Sequence, residues 1–200
     1  MEKAKSVKSP QRKWLREQFH DYVLFMANPG LRPDESARLE FRDVAIVTDE
    51  ATGERILEIE VRGKRGVGYC KSMTGAVMPF ERLRNRPNPL GKSKKPEPTD
   101  KLFGPTNCDL LNAILDELNL KYDRDGNRRT AYSLRHTYIC LRLMEGADIY
   151  QIAKNCRTSV EMVETFYASH IKNTLDAAAI NVRKAKPTKK ADQPTTAEDD

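Results

Sequence analysis

An arginine and a tyrosine in the last third of the chain have the chemistry of a phosphate-directed site. Arg135 lies in the segment 131–138, and Tyr167 lies in the segment 164–170. Arginine is a permanent cation whose planar group suits a phosphate, and a tyrosine phenol is a nucleophile when its anion is stabilised. The pair therefore indicates phosphoryl-transfer chemistry, provided that further phosphate-directed groups lie upstream.

Arg32 is the first such group, at the entrance of a predicted helix. Pro33 is tolerated in a first helical turn, and Glu35 favours the positive end of a helix that we expect to run through Leu39. We expect Glu35 to orient Arg32 or its helix rather than to act as an acid. Taken singly, Arg32 fits a surface salt bridge to Glu35 better than a phosphate site.

Lys64 is the second group, at the tip of a predicted turn. Apolar and charged residues alternate in the segments 44–46 and 57–61, which indicates an antiparallel hairpin. The glycine-rich turn 63–68 then returns the chain as a third strand, predicted over 69–77 and ending near Pro79. Taken singly, Lys64 is a solvated hairpin charge. Beside two arginines it is a titratable cation for a phosphate site.

The other periodic segments are helical. Their apolar residues recur at helical spacing and their ends carry capping or turn residues. These segments are 11–26, a possible start at 80–85, 107–118, 133–143 with Ser133 as its cap, 149–153, 158–167 with a capping box from Thr158 to Glu161, and 175–183. Together with the hairpin they predict an α+β fold, mostly helical, with one small three-stranded antiparallel sheet.

Length and composition suit one domain. We expect a flexible basic lead-in over 1–10, a folded domain over 11–185 and a disordered tail over 186–200. The segment 86–100, rich in Pro, Lys and Gly, is predicted to be an exposed basic loop. The 35 Lys and Arg against 29 Asp and Glu give a net charge of +6, which suits a polyanionic partner.

The cysteines and the apolar runs exclude other classes. The four cysteines are scattered, with no pair at metal-ligand spacing, which disfavours a zinc site and predicts reduced, mostly buried thiols. No secretory leader or membrane-length apolar run is visible, and we expect a cytoplasmic protein without membrane contact. The low aromatic content disfavours stacking of single-stranded nucleic acid.

Four segments resemble, in order, the motifs of the tyrosine recombinase (phage integrase) family. They are 30–39, 61–64, 133–137 and 161–170, which carry Arg32, Lys64, Arg135 and Tyr167. The match spans about residues 11–183, so chance agreement is much less probable than for one short motif. The resemblance implies the catalytic domain of a site-specific recombinase that cleaves and rejoins duplex DNA.

The resemblance also implies a role for each group. Tyr167 attacks a phosphodiester and forms a 3′-phosphotyrosyl intermediate. Arg32 and Arg135 stabilise the transition-state charge, and Lys64 protonates the leaving 5′ oxygen. Neither a metal nor another cofactor is needed. The partners implied are double-stranded DNA and further copies of the chain, assembled as a tetrameric synapse. The segment 175–183 resembles one that packs onto a neighbour, and packing within its own chain is the alternative.

The sequence departs from the family pattern at two positions. Tyr132 stands where the family usually has His, and Thr158 stands where it usually has His or Trp. Each can hydrogen-bond a phosphate oxygen, and Thr158 can alternatively cap its helix, but neither accepts a proton near neutral pH. We expect structural roles for His136, predicted to be buried, and for His170, and we assign Tyr138 to the core.

Two further functions compete with recombination. One is a catalytically impaired DNA-binding relative with the same fold, and the other is a relaxing enzyme similar to type IB topoisomerases, which shares the chemistry. The family usually has a separate helical DNA-binding domain ahead of this region. We therefore expect these 200 residues alone to bind DNA weakly and in a salt-sensitive manner.

Overall fold

The segments with alternating apolar residues pair as a three-stranded antiparallel sheet. A computed structural model describes residues 9–63, 66–87, 95–104 and 108–167. Its strands are β1 (Val44–Thr48), β2 (Arg55–Gly63) and β3 (Gly66–Lys71), in the order β1-β2-β3. Val44 pairs with Ile59, and Gly63 pairs with Gly66 next to the turn. The alternate residues Leu57, Ile59 and Val61 of the central strand are fully buried, as a half-covered sheet requires.

Seven α-helices accompany the sheet in the described part of the chain. They are α1 (Pro10–Met26), α2 (Pro33–Ser36), α3 (Val77–Asn85), α4 (Cys108–Glu117), α5 (Tyr132–Met144), α6 (Ile149–Asn155) and α7 (Val160–Tyr167). The predicted fold class, mostly helical with one small sheet, is confirmed. None of these helices is long and apolar enough to cross a membrane.

Two hydrophobic cores organise the chain. The first joins α1, the sheet, α3 and α4, and its aromatic centre includes Tyr22 and Phe25, whose rings meet the edge of Phe103. The second joins α5, α6 and α7 through Ile139 and Val163, among others. The turn after α1 connects the two cores, because a Cβ added to Gly30 would lie 2.5 Å from a ring carbon of Tyr138. Tyr138 is therefore a core residue, as predicted.

The helix that follows Arg32 is shorter than predicted. It ends at Ser36 instead of continuing through Leu39. Leu39 is buried, and its carbonyl accepts a hydrogen bond from the backbone N–H of Leu102 at 2.9 Å. This long-range backbone pairing turns the chain out of the helix, and local spacing cannot reveal it.

The third strand and the following helix also differ from the prediction. The strand ends at Lys71, and residues Thr74–Ala76 form a 3₁₀ helix that leads into α3 at Val77. Pro79 lies in the first turn of α3, where its missing N–H has no helical partner to lose. The apolar residues read as strand therefore belong to the helix start.

Two predicted helix caps lie elsewhere. Helix α5 begins at Tyr132, so Ser133 lies inside the helix and does not cap it. The Ser133 hydroxyl instead accepts a hydrogen bond from the backbone N–H of Thr130, three residues earlier, at 3.0 Å. At α7, the Ser159 hydroxyl accepts from the N–H of Met162, so the cap is Ser159 and not Thr158. Thr158 is thereby left outside the helix that carries Tyr167.

Candidate active site

Arg135 is a buried cation at the junction of three segments. Its residue is only 2% exposed on α5. Its Nη1 donates to the carbonyl of Gly30 and its Nη2 donates to the carbonyl of Cys156, both at 2.6 Å. These bonds stabilise a charge that burial would otherwise disfavour. They also join the turn after α1 to the segment between α6 and α7.

Arg32 is held beside Arg135 by the next carbonyl along the chain. Its Nη2 donates to the carbonyl of Arg157 at 3.1 Å, directly after the Cys156 carbonyl that Arg135 uses. Its Nη1 donates to Glu35 Oε1 at 3.0 Å, and its backbone N–H donates to the other carboxylate oxygen at 2.9 Å. Glu35 therefore orients Arg32, as predicted. The two arginines converge on one short connection.

Arg157 is a third arginine at this place, and sequence reasoning missed it. Its φ of 55° lies in the left-handed region, which residues other than glycine rarely adopt. Its Nη1 donates to the carbonyl of Val61 at 3.1 Å, and its Nη2 donates to the carbonyl of Gly66 at 3.0 Å. Arg157 thus bridges β2 and β3 close to the Gly63–Gly66 pair at the end of the ladder. No local sequence signal marks this conformation.

Tyr167 meets a histidine at the interface of α5 and α7. Its hydroxyl lies 2.5 Å from His136 Nδ1, and the two ring centroids are 5.3 Å apart. Tyr132 lies one helical turn before His136, with ring centroids 5.0 Å apart. The prediction that His136 is buried is wrong: the residue is solvent-exposed, and its Nδ1 edge faces the candidate nucleophile.

These side chains share one cavity of about 280 Å³. Its lining residues are Tyr132, Arg135, His136, Ile139, Thr158, Met162, Phe166 and Tyr167. The structure thus brings four of the predicted site residues together with His136, and Arg32 donates a hydrogen bond to the adjoining connection at the Arg157 carbonyl. Lys64, His170 and the segment 175–183 lie outside the described residues.

Burial sets the protonation states of Tyr167 and His136. Burial and, after it, the neighbouring Tyr132 raise the pKa of the Tyr167 phenol to about 12, while the Arg135 charge opposes them. Partial burial, and then the Arg135 charge, lower the pKa of His136. Near neutral pH the phenol is therefore protonated and the imidazole is neutral, which is the arrangement of a proton donor and its acceptor.

Comparison with solved structures identifies the same fold elsewhere. The XerH site-specific recombinase bound to difH substrate superposes with a TM-score of 0.56 at 14% identity, covering 90% of this chain and 49% of XerH. XerA recombinase gives 0.53 at 16% identity over 91% of this chain and 72% of XerA. The Tn1549 transposon integrase in complex with transposon right end DNA gives 0.52 at 14% identity over 82% and 57%.

Each match covers only part of the solved chain. This chain spans about half the length of the XerH chain. No family model matches the sequence, and no curated protein matches it. On its structure, this chain has the helix-rich, single-sheet fold found in these site-specific recombinases and this transposon integrase.

Proposed function

We propose that this chain is the catalytic part of a site-specific DNA recombinase, which cleaves and rejoins duplex DNA through a 3′-phosphotyrosyl intermediate. The observation that carries the proposal is the cavity shared by Tyr167 and Arg135, because it sets a phenol nucleophile beside a permanent cation. Arg32 donates a hydrogen bond to the carbonyl of Arg157, next to the cavity. The fold shared with recombinases and an integrase solved with DNA supports the same function.

The proposed reaction is a direct transfer of the phosphoryl group. The Tyr167 oxygen attacks phosphorus and forms a new O–P bond, while the bond from phosphorus to the 5′ oxygen breaks. Lys64 gives a proton to that leaving oxygen. In rejoining, the free 5′ hydroxyl attacks the phosphotyrosyl group and the steps reverse. Because the intermediate conserves the bond energy, neither a nucleotide nor another cofactor is needed.

The arginines take the part that a metal ion plays in other phosphoryl-transfer enzymes. A guanidinium carries five N–H donors, and the bonds of Arg135 to Gly30 and Cys156 engage two of them. The others are donors for the non-bridging oxygens of a phosphate that enters the cavity. Tyr132 and Thr158 line the same cavity and provide hydroxyl donors to those oxygens.

The proposed partner is double-stranded DNA in the cytoplasm. Recombination pairs two duplexes, so the active form is a homo-oligomer on DNA, a tetrameric synapse. The net charge of +6 favours the phosphate backbone. We expect these 200 residues alone to bind weakly, with an affinity that falls as salt rises, because they correspond to about half of the XerH chain.

Covalent capture tests this function. The protein is incubated with duplexes of randomised sequence and then denatured. The DNA that stays covalently attached is sequenced to define the target site. Nicked substrates are then made from that site. We expect an adduct that Tyr167→Phe abolishes. Tyr150→Phe is the matched control, since Tyr150 is 61% exposed on α6 and does not line the cavity.

Other results would assign the chain to a different function. Sequence-selective binding without any adduct would identify an impaired DNA-binding relative. Relaxation of supercoiled plasmid by the monomer, with no paired site, would identify an enzyme similar to type IB topoisomerases.

A further inference from the structure

We infer that His136 is the proton acceptor that activates Tyr167. This inference rests on the proposed function and assigns its missing base. The motif resemblance points to imidazoles at positions 132 and 158, where this chain has Tyr132 and Thr158. Both residues line the cavity, yet neither takes a proton near neutral pH. Another group must accept the Tyr167 proton.

The geometry gives that role to Nδ1 of His136. It lies 2.5 Å from the Tyr167 oxygen, within the reach required of a general base. Tyr132 and His136 are four residues apart on α5, so they lie on the same face of the helix. The imidazole is thus supplied one turn further along the helix face, and α7 carries the tyrosine to it.

The surroundings of His136 favour a neutral ring. Arg135 is the charged group that acts on it from its own helix, while Tyr132 on α5 and Tyr167 on α7 are the titratable groups in ring contact. Partial burial and the Arg135 charge both lower the pKa of His136. A neutral ring with Nδ1 as acceptor carries its proton on Nε2.

The proton balance is complete within the chain. In cleavage, the Tyr167 oxygen forms its bond to phosphorus as its proton moves to Nδ1, which produces an imidazolium. Lys64 supplies a separate proton to the 5′ oxygen as its bond to phosphorus breaks. In rejoining, Lys64 takes back the proton of the attacking 5′ hydroxyl, and the imidazolium returns its proton to the departing phenol. His136 therefore serves as base in one direction and as acid in the other.

The test uses His136→Asn in the full chain. The asparagine oxygen can still accept a hydrogen bond near the former Nδ1, but it cannot take a proton. His20→Asn is the control, because it makes the same chemical change on α1, away from the cavity. The probe is the nicked duplex made from the captured site, and the readout is the single-turnover rate of adduct formation as a function of pH.

We expect the wild-type rate to be flat above the lowered pKa of His136 and to fall below it. His136→Asn should be slower by roughly 10²–10⁴-fold, the usual contribution of a general base. Its rate should rise about tenfold per pH unit towards the Tyr167 pKa, since only phenolate then reacts. A fluorinated tyrosine at position 167, which ionises more readily, should restore His136→Asn more than it changes the wild type.

Each result decides between the proposals. If His136→Asn forms adduct at the wild-type rate with the wild-type pH profile, the base assignment is wrong and the proposed function stands. A slow variant that keeps the wild-type profile would make His136 structural, and would equally overturn the assignment. If the wild-type chain forms no adduct, the proposed function fails and takes this inference with it. His20→Asn should match the wild type throughout.

Discussion

Replacing Arg157 by glycine and by alanine separates its backbone from its side chain. The residue sits at a φ of 55°, and its side chain is 11% exposed. Alanine removes the bridge between β2 and β3 and keeps the left-handed conformation. Glycine removes the same bridge and relieves the conformation. Both variants retain the backbone carbonyl that accepts the hydrogen bond from Arg32.

The magnitudes follow from the contacts. Hydrogen bonds that involve a charged group contribute about 1.5–3 kcal/mol each. The bond to Val61 is partly buried but the one to Gly66 is exposed, so we discount the second and expect Arg157→Ala to lower the unfolding free energy by about 2–4 kcal/mol. Glycine avoids a left-handed penalty of about 1–2 kcal/mol. Its freer unfolded chain offsets about 0.4–1 kcal/mol of that gain.

Urea denaturation followed by circular dichroism measures both variants. Arg157→Gly should be at least as stable as Arg157→Ala, by up to about 1.6 kcal/mol. An alanine variant that is clearly more stable than the glycine variant would show that residue 157 is not left-handed. A loss below about 0.5 kcal/mol in Arg157→Ala would show that the bridge does not hold the hairpin, since changes of that size are typical of unconstrained surface positions.

Two further substitutions test buried contacts, one between the two cores and one within the first core. Gly30→Ala should lower the unfolding free energy by about 2–4 kcal/mol in urea denaturation, because a left-handed φ of 71° and a ring carbon of Tyr138 at 2.5 Å both oppose a Cβ; an unchanged midpoint would contradict this. Asp21 is fully buried between α1 and α3, accepting from Arg82 at 2.8 Å and from Arg86 at 2.5 Å. Asp21→Asn removes the buried negative charge that pairs with Arg82 and Arg86, which should cost about 3 kcal/mol of unfolding free energy. We expect the thermal midpoint to fall, and a midpoint equal to that of the wild type would count against the network.

The contact between His136 and Tyr167 changes how the two departures from the family pattern are interpreted. With Tyr132 and Thr158 considered alone, activation of the tyrosine is the weakest step of the proposed reaction. The structure adds an imidazole on the same face of α5 as Tyr132. On the proposed function, this imidazole takes the place of the one that the motif resemblance puts at position 132.

The sequence by itself determined the elements whose signals are local. The alternation of apolar residues predicts β2 and its partners, and the helical spacing that ends at Asn28 predicts α1. It also predicted Glu35 as the partner of Arg32, because the two are three residues apart at a helix start. Such signals depend on neighbouring residues, so they survive without knowledge of the fold.

Only the tertiary structure decided the features that depend on distant residues. Helix α2 ends early because Leu39 pairs with Leu102. Arg135 can be buried because the carbonyls of Gly30 and Cys156, from two other segments, accept hydrogen bonds from its guanidinium. His136 faces Tyr167, 31 residues away, because α5 and α7 pack in one core. No local pattern encodes these distances, since packing brings the partners together only after each element has formed.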